Sequence, residues 1–468
     1  MAQAQSLLDA ISSFCRRERI AESTFGRHAV NDGKFVSRLR DGARITPETL
    51  QRVNTFMSRR GAELVDHSPP ELLPLIRPAE LTPAPGLVTQ AQTEPRRNFR
   101  FFDNRQKYLL FVHTCGEKRV VARRVGLELG NIHPQPPALR LFDAGMGDGT
   151  VLAGVMREMH QRFATMPFYI VGKEISLEDV RLSLARLVDR FFEHPATVLV
   201  VTNMYYTEAP WLMPRAASAA RSMVWKEVAL GGTTAHEFAD QIASLDGFLG
   251  KHWQARHNPD TGNPVYERPV ALIIYREDYR FLLDNVIPRQ GAVRADYDLV
   301  IASQPYRARA PLQFKASRVI GPLVQALGDG GRLLGIHSYG HDPGLQIVRN
   351  IWPDENPFTD DRHGVLRALR RELGKDARRY NFNAYADARA IFRYDMHTLP
   401  TEISASIGTS TLFAAWNAAV YVAQIEDDRL ASVLGERTYL AATQEVLQRH
   451  GGLWFFDESY VISRKRDK

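Results

Sequence analysis

Cysteine is almost missing from this chain. Cys15 and Cys115 are its only two in 468 residues. They lie too far apart for a disulfide framework and match no metal or redox spacing, so no metal site is expected. A reducing compartment, the cytoplasm, is the expectation that follows. Long apolar runs are missing too: nothing approaches the roughly 20 residues that cross a bilayer. The first charges follow a short mixed stretch, the reverse of a signal peptide, so no membrane partner is expected. Charge of one sign is also lacking. Against 60 basic residues stand 53 acidic ones, and a net charge of +7 over this length does not by itself imply nucleic acid. No internal repeat is found.

What is present divides into three parts. Residues 1–60 read as short helices, with Leu7, Leu8, Ile11 and Phe14 at helical spacing. Ser23 or Thr24 can cap a second helix, Asn31-Asp32-Gly33 marks a turn, and Lys34 to Arg40 forms a third helix closed by Gly42. Thr46-Pro47-Glu48 opens a fourth, with proline at the first helical position. Residues 61–97 carry Pro69, Pro70, Pro74, Pro78, Pro83, Pro85 and Pro95 without a sustained period, the composition of a semi-rigid linker. From residue 98 to 468, strands and helices alternate, which predicts an α/β domain with a mainly parallel sheet. Candidate strands are Leu139–Ala144, Phe168–Gly172, Thr197–Thr202, Asp298–Ala302, Arg332–His337 and Leu453–Ser463. The interval of about 204–295 exceeds one crossover and reads as a largely helical insertion. Val270–Tyr275 within it is a strand candidate with no evident place.

The most informative stretch is Leu141-Phe-Asp-Ala-Gly-Met-Gly-Asp-Gly-Thr-Val-Leu152. A strand ends in Asp143, and Gly145, Gly147 and Gly149 turn the chain into a helix near Thr150. Glycines suit a sharp turn that a ligand approaches closely. A dinucleotide fingerprint would need a third glycine where Thr150 stands. Asp148, inside the turn, would repel a pyrophosphate, whereas a ligand with an ammonium and a sulfonium tolerates acids.

This segment resembles motif I of class I (Rossmann-like) S-adenosylmethionine-dependent methyltransferases, whose pattern is D/E-x-G-x-G-x-G. The resemblance implies S-adenosylmethionine as cofactor, held by Asp143, Gly145, Gly147 and Gly149. It also implies a carboxylate for the ribose hydroxyls at the next strand end, where Phe168-Tyr-Ile-Val-Gly-Lys-Glu174 supplies Glu174. Asn203 ends the third strand, where the family often contacts the adenine. Tyr297–Tyr306 and the glycine-led Gly330–His337 look like its fourth and fifth strands. The likeness covers roughly residues 100–465, and the long interval before Ser303 departs from a minimal member.

Ser303-Gln-Pro-Tyr306 sits at a strand's carboxyl end, where open α/β sheets bind ligands. It resembles the [D/N/S]-P-P-[Y/F/W] motif of amino-methyltransferases, with Gln304 replacing the first proline, which would otherwise hold the carbonyl in place. The resemblance implies that Ser303 and Tyr306 contact the methyl acceptor; a plain loop cap, or a hydroxyl or carboxyl acceptor, remains the alternative. His337-Ser-Tyr-Gly-His-Asp342 places two imidazoles and an acid at another strand end. His337 could take a proton from an acceptor, or these side chains could cap the loop and the helix after Pro343. Tyr205 and Tyr206 are candidates for the acceptor pocket or simple packing.

Near the N-terminus, Thr24–Val30, Asn31-Asp-Gly33 and Lys34–Gly42 resemble the helix-turn-helix of Cro-like repressors. Val36 and Leu39 are spaced to face a core, leaving Lys34, Ser37, Arg38 and Arg40 outward, with Arg44 just beyond. Such residues can meet phosphates or guanine edges, which makes DNA a candidate partner. The alternative is a small protein-interaction domain with a solvated basic face. The leading expectation is therefore a methyltransferase for a small-molecule acceptor (N- or O-methylation), with a regulatory or docking N-terminal domain. A nucleic-acid amino-methyltransferase and a DNA-binding sensor of S-adenosylmethionine are the other classes.

Overall fold

The computed structural model describes residues 105–466 except 259–263, 399–401, 404–405 and 435–437, and, toward the N-terminus, residues 7–8, 11–15, 21–30, 32–41, 49, 53 and 56. The chain divides into two compact units, Met1–Thr93 and Glu94–Lys468. In the first, helices α1 (Glu22–Val30) and α2 (Phe35–Arg40) pack with Leu7, Leu8, Ile11, Phe14 and Val53 around a fully buried Phe25. Gly26 permits this close turn: a Cβ there would stand 2.3 Å from the Asp32 carbonyl oxygen. Because α1 begins at Glu22, Ser23 and Thr24 lie inside its first turn rather than capping it. The expected linker at 61–97, Gly42, Arg44 and the helix opening at Thr46-Pro47-Glu48 fall outside the described residues.

The second unit opens with α3 (Arg105–Thr114) and α4 (Glu117–Leu129). Then β1 (Leu139–Asp143), α5 (Thr150–Arg162), β2 (Phe168–Lys173), α6 (Leu177–Glu193) and β3 (Thr197–Thr202) alternate. Two further strands, β4 (Val224–Leu230) and β7 (Val270–Arg276), flank the small antiparallel pair β5 (Ala255–His257) and β6 (Pro264–Tyr266). They are followed by β8 (Tyr297–Ser303), β9 (Leu327–Ser338), α7 (Pro343–Ile351), α8 (Arg362–Leu373), β10 (Tyr380–Asn383), β11 (Ile391–Asp395), α9 (Thr409–Val422) and β12 (Trp454–Arg464).

Ten strands form one sheet in the order β10-β12-β9-β8-β1-β2-β3-β7-β4, with β11 also on β12. The central five, β9-β8-β1-β2-β3, are parallel. Their near-continuous apolar runs reflect burial on both faces, the condition of a parallel sheet. On one face Leu139, Leu141, Phe168 and Ile170 pack under α4, α5 and α6. On the other, Phe142, Tyr169 and Val171 pack with Val319, Ile320, Leu323 and α8. The direction changes on either side of this core: β7 is antiparallel to β3, and β12 to β9.

The interval 204–295 is less purely helical than the sequence suggests. It does carry helices, at Ala217–Ser222, Ala235–Ala243 and Asp246–His252. It also lengthens the sheet by two strands, and Val270–Tyr275 finds its place there, as β7 between β3 and β4.

One imidazole pair ties α5 to the end of α6. His160 Nδ1 and His194 Nδ1 are 2.9 Å apart, and His194 Nε2 lies 3.0 Å from the Met166 carbonyl. A carbonyl only accepts, so His194 Nε2 carries its proton and Nδ1 accepts from His160. Protonated His194 would face a donor with a donor. Burial, with the nearby His160, lowers the His194 pKa to about 4. Unfolded, this histidine takes its proton near pH 6.5; folded, only near 4, so its contribution is full above pH 6.5 and drains away as pH falls toward 4. We expect the stability gap between wild type and His194→Gln, read from urea unfolding, to shrink by about 2 kcal/mol between pH 7.5 and 4.5. An equal gap at both pH values would mean the pair carries no such linkage.

Candidate functional site

The strand order reverses at β1. From it the chain moves one way to β2 and β3, then returns to lay down β8 and β9 on the other side. The carboxyl ends of β1 and β8 therefore diverge, and such a switch point leaves a crevice. A narrow cleft occupies this place, lined by Asp143 at the end of β1, Gly145, Met146 and Asp148 beyond it, Ile301 and Ser303 of β8, and Lys118 of α4. A wider open cleft, lined by Trp211, Arg294, Asp296, Asp329 and Arg464, lies at the opposite edge of the sheet. It lies at the amino ends of the parallel strands β8 and β9, away from the crevice that the switch point opens, so the crevice at β1 is the candidate site.

The turn from β1 to α5 is built by its glycines. Gly147 and Gly149 have φ of +52° and +78°, the left-handed region that glycine enters freely. Asp143 is buried, and its Oδ1 accepts from the Gly145 N–H at 3.2 Å. Burial raises its pKa to about 6, against the pull of that N–H; Glu174 adds to the rise and Lys118 opposes it. Glu174, just past β2, accepts from Gly147 N–H through Oε2 at 2.9 Å, and from Ile175 and Ser176 N–H through Oε1 at 2.8 and 2.9 Å. Three of the four acceptor directions of this carboxylate are thereby used, and one remains.

Asp148 has a structural role. Its carboxylate accepts from the Thr150 N–H and hydroxyl at the start of α5, and pairs with Arg186 of α6 at 3.1 Å. An acid neutralised in this way argues less against an anionic ligand than its place in the turn suggests. Asn203, expected near an adenine, is buried with its amide donating to the Arg268 carbonyl and accepting from Val270 N–H. It clasps the end of β3 to the start of β7.

At the end of β8, Ser303 lines the cleft, and its carbonyl oxygen is the nearest atom, at 3.9 Å, to a Cβ built on Gly145. Gln304 takes a left-handed φ of +48°. Its side chain donates to Ser338 Oγ and Asp457 Oδ1, both at 3.2 Å, and accepts from Ser338 N–H. The glutamine thus pins the loop that a proline would have stiffened, the reverse of what the missing proline suggests. Tyr306 turns away into the core. Its hydroxyl lies 2.6 Å from His337 Nδ1, whose Nε2 lies 2.7 Å from the buried Glu458. Tyr306 and His337 are thus brought together, but within a buried ionic network and not among the cleft-lining residues. Tyr206 donates to the Pro305 carbonyl at 2.9 Å, with the Lys173 ammonium 4.8 Å from its ring centre. The Tyr205 ring packs against that of Tyr266 at a tilt of 35°. Asp342 caps α7, accepting from Leu345 N–H at 2.8 Å, and His341 is exposed.

Lys118, Gln304 and Asp457 are members of this edge that motif reading missed. Lys118 sits in Glu117-Lys-Arg-Val-Val-Ala-Arg-Arg124, where it looks like one more solvated cation. In the N-terminal unit, Lys34, Ser37, Arg38 and Arg40 are exposed. Arg38 pairs with Asp32, and Arg40 with both oxygens of Glu22 at 2.9 Å. Exposed pairs hold by only about 0–1 kcal/mol, so they do not bar these arginines from another anion. Among the described residues no cluster of metal-ligating side chains occurs, and no helix is long and apolar enough to cross a membrane.

No protein-family model and no curated protein matches the chain. Among solved structures, it is similar to a geranyl diphosphate methyltransferase bound to GPP and sinefungin, with 13% identity over 73% of this chain and 78% of that one and a TM-score of 0.27. An rRNA methyltransferase of Streptomyces viridochromogenes gives 15% identity over 47% and 73%, TM-score 0.22. A phosphoethanolamine N-methyltransferase of Haemonchus contortus gives 10% over 79% and 60%, TM-score 0.26. Similarity at this level carries no function across; the geometry of the site has to.

Proposed function

We propose that this chain is an S-adenosylmethionine-dependent methyltransferase for a small-molecule acceptor, with the N-terminal unit as a docking or regulatory module. The observation that carries it is the crevice at the β1/β8 switch point, lined by Gly145 of the glycine turn and by Asp143, with Glu174 at the neighbouring strand end. The fit rests on chemistry present in the chain. A Cβ on Gly145 would enter the open cleft, and Glu174 keeps one acceptor direction for a hydroxyl. Asp143, Gly145, Gly147 and Glu174 would hold the cofactor, which when bound supplies a methyl group already activated on a sulfonium. The chain's own contribution is position: the pinned Ser303–Tyr306 loop sets where an acceptor stands, and proximity supplies most of the acceleration.

Calorimetry with S-adenosylmethionine, followed by incubation of the methyl-labelled cofactor with metabolite extract, DNA, RNA or protein, tests the reading. Label in a small molecule supports it. Label in nucleic acid would replace it, and binding without transfer to any acceptor class would point to a sensor. A pH dependence follows from Asp143. Ionised above about pH 6, its carboxylate favours a cationic ligand; protonated below, it does not. S-adenosylmethionine and S-adenosylhomocysteine share the ammonium, so affinity for both should fall by up to about tenfold per pH unit below 6. Affinities flat across pH 6 would remove Asp143 from the site.

A further inference from the structure

The cleft has one cation among the residues that line it. Lys118 occupies the second position of α4, whose start is fixed by a hydrogen bond from Gly116 N–H to the Asp395 carbonyl at 2.8 Å. Its side chain is 21% exposed, and its ammonium meets Glu117 Oε2 at 3.2 Å. The Tyr108 ring centre stands 5.7 Å away on another side. An ammonium has three N–H donors, and Glu117 is the acid that Lys118 is paired with. A cation at a cleft wall gains from an anionic ligand that adds a charge-assisted hydrogen bond to it.

The surroundings say what that ligand is. Burial pulls the Lys118 ammonium toward neutrality, but Glu117 and Asp148 outweigh it and keep the group charged. Asp143 shares the lining with Lys118. A cation and an acid in one narrow cleft match a zwitterion, an α-amino acid whose carboxylate meets the lysine while its ammonium meets the acid. Glu117 is itself buried, and its other oxygen lies 3.5 Å from Gln304 Nε2, so the lysine's partner is braced against the acceptor loop.

We propose that Lys118 recognises the carboxylate of an amino-acid tail and makes the site selective for nucleosides that carry one. The inference rests on the S-adenosylmethionine reading and adds to it the residue that distinguishes the whole cofactor from its tailless fragments. If Lys118 served only to neutralise Glu117, its loss would weaken every ligand alike.

The test is calorimetry on the full chain with two probes sharing one nucleoside, S-adenosylhomocysteine and 5′-methylthioadenosine, which lacks the amino-acid tail. Lys118→Gln keeps a donor for Glu117 without the charge. It should weaken S-adenosylhomocysteine by about tenfold to a hundredfold and leave 5′-methylthioadenosine within about twofold. Lys118→Arg should restore most of the loss. Equal weakening of both probes, or none, overturns the assignment while the cofactor reading stands. So does a wild type that binds both probes equally, a result that needs no variant to fold. A wild type that binds neither overturns both.

Discussion

Replacing Arg362 with methionine should cost the fold about 3–5 kcal/mol, the usual penalty for stranding a buried charge. Arg362 and Glu458 are 3% and 1% exposed. The guanidinium donates to Glu458 Oε2 and to the Ala384 carbonyl, both at 2.8 Å, to the Tyr385 carbonyl at 3.3 Å, and to Asp387. The Arg362 backbone N–H adds a bond to Glu458 Oε1, which also meets His337. Burial alone would raise the Glu458 carboxyl; the hydrogen bonds from His337 and Arg362 outweigh it and hold the group below the usual range. Without Arg362 the carboxylate must either stay charged in the core or take up a proton. Most domains of this kind hold only about 5–15 kcal/mol in all, so the urea midpoint should drop sharply. Glu458→Gln in the same chain should recover part of the loss, because it removes the stranded charge. A double variant no more stable than Arg362→Met alone would place the cost in lost packing instead. The sign with pH is fixed as well: a depressed carboxyl gives stability above its unfolded pKa and loses it as pH falls through the folded one.

The central fold was legible because its determinants are local. Strands such as Thr197–Thr202 and Phe168–Lys173 are buried along their length and read as unbroken apolar runs ending in a turn or an acid. Where pairing is remote, legibility failed in proportion. Val270–Arg276 is wholly buried and looked like a strand, yet its neighbours are β3, far upstream, and β4, whose Lys226 and Glu227 are exposed at the sheet edge. No local period announces an edge strand of that kind. The site divides in the same way. The glycine turn and Glu174 declare themselves because backbone conformation and strand ends leave marks in a short window. Gln304 does not, since what it does depends on Ser338 and Asp457, 34 and 153 residues away. Lys118 fails for a related reason: a helix rich in basic residues gives no sign of which one faces inward.

Gly147→Val should abolish binding of S-adenosylhomocysteine, a loss of at least about a hundredfold in calorimetry. Two effects converge at this position. Its φ of +52° is open to glycine and strained for a β-branched residue, at a cost of about 1–2 kcal/mol. A Cβ there would also stand 2.9 Å from the Tyr108 hydroxyl, so either that ring or the turn must move. The turn is held by the Gly147 N–H on Glu174 and by the Ser183 hydroxyl on the Gly147 carbonyl at 2.6 Å, and displacement loosens both. A strained turn alone could explain lost binding without placing any ligand beside it, so Gly145→Ala is the sharper partner. At Gly145 φ is ordinary and the nearest atom to an added Cβ is 3.9 Å away. The ligand-free protein should therefore melt within about a degree of wild type, while binding should fall by about tenfold or more as the methyl enters the cleft. Undiminished affinity in Gly145→Ala would show that no ligand sits between the ends of β1 and β8, whatever Gly147→Val does.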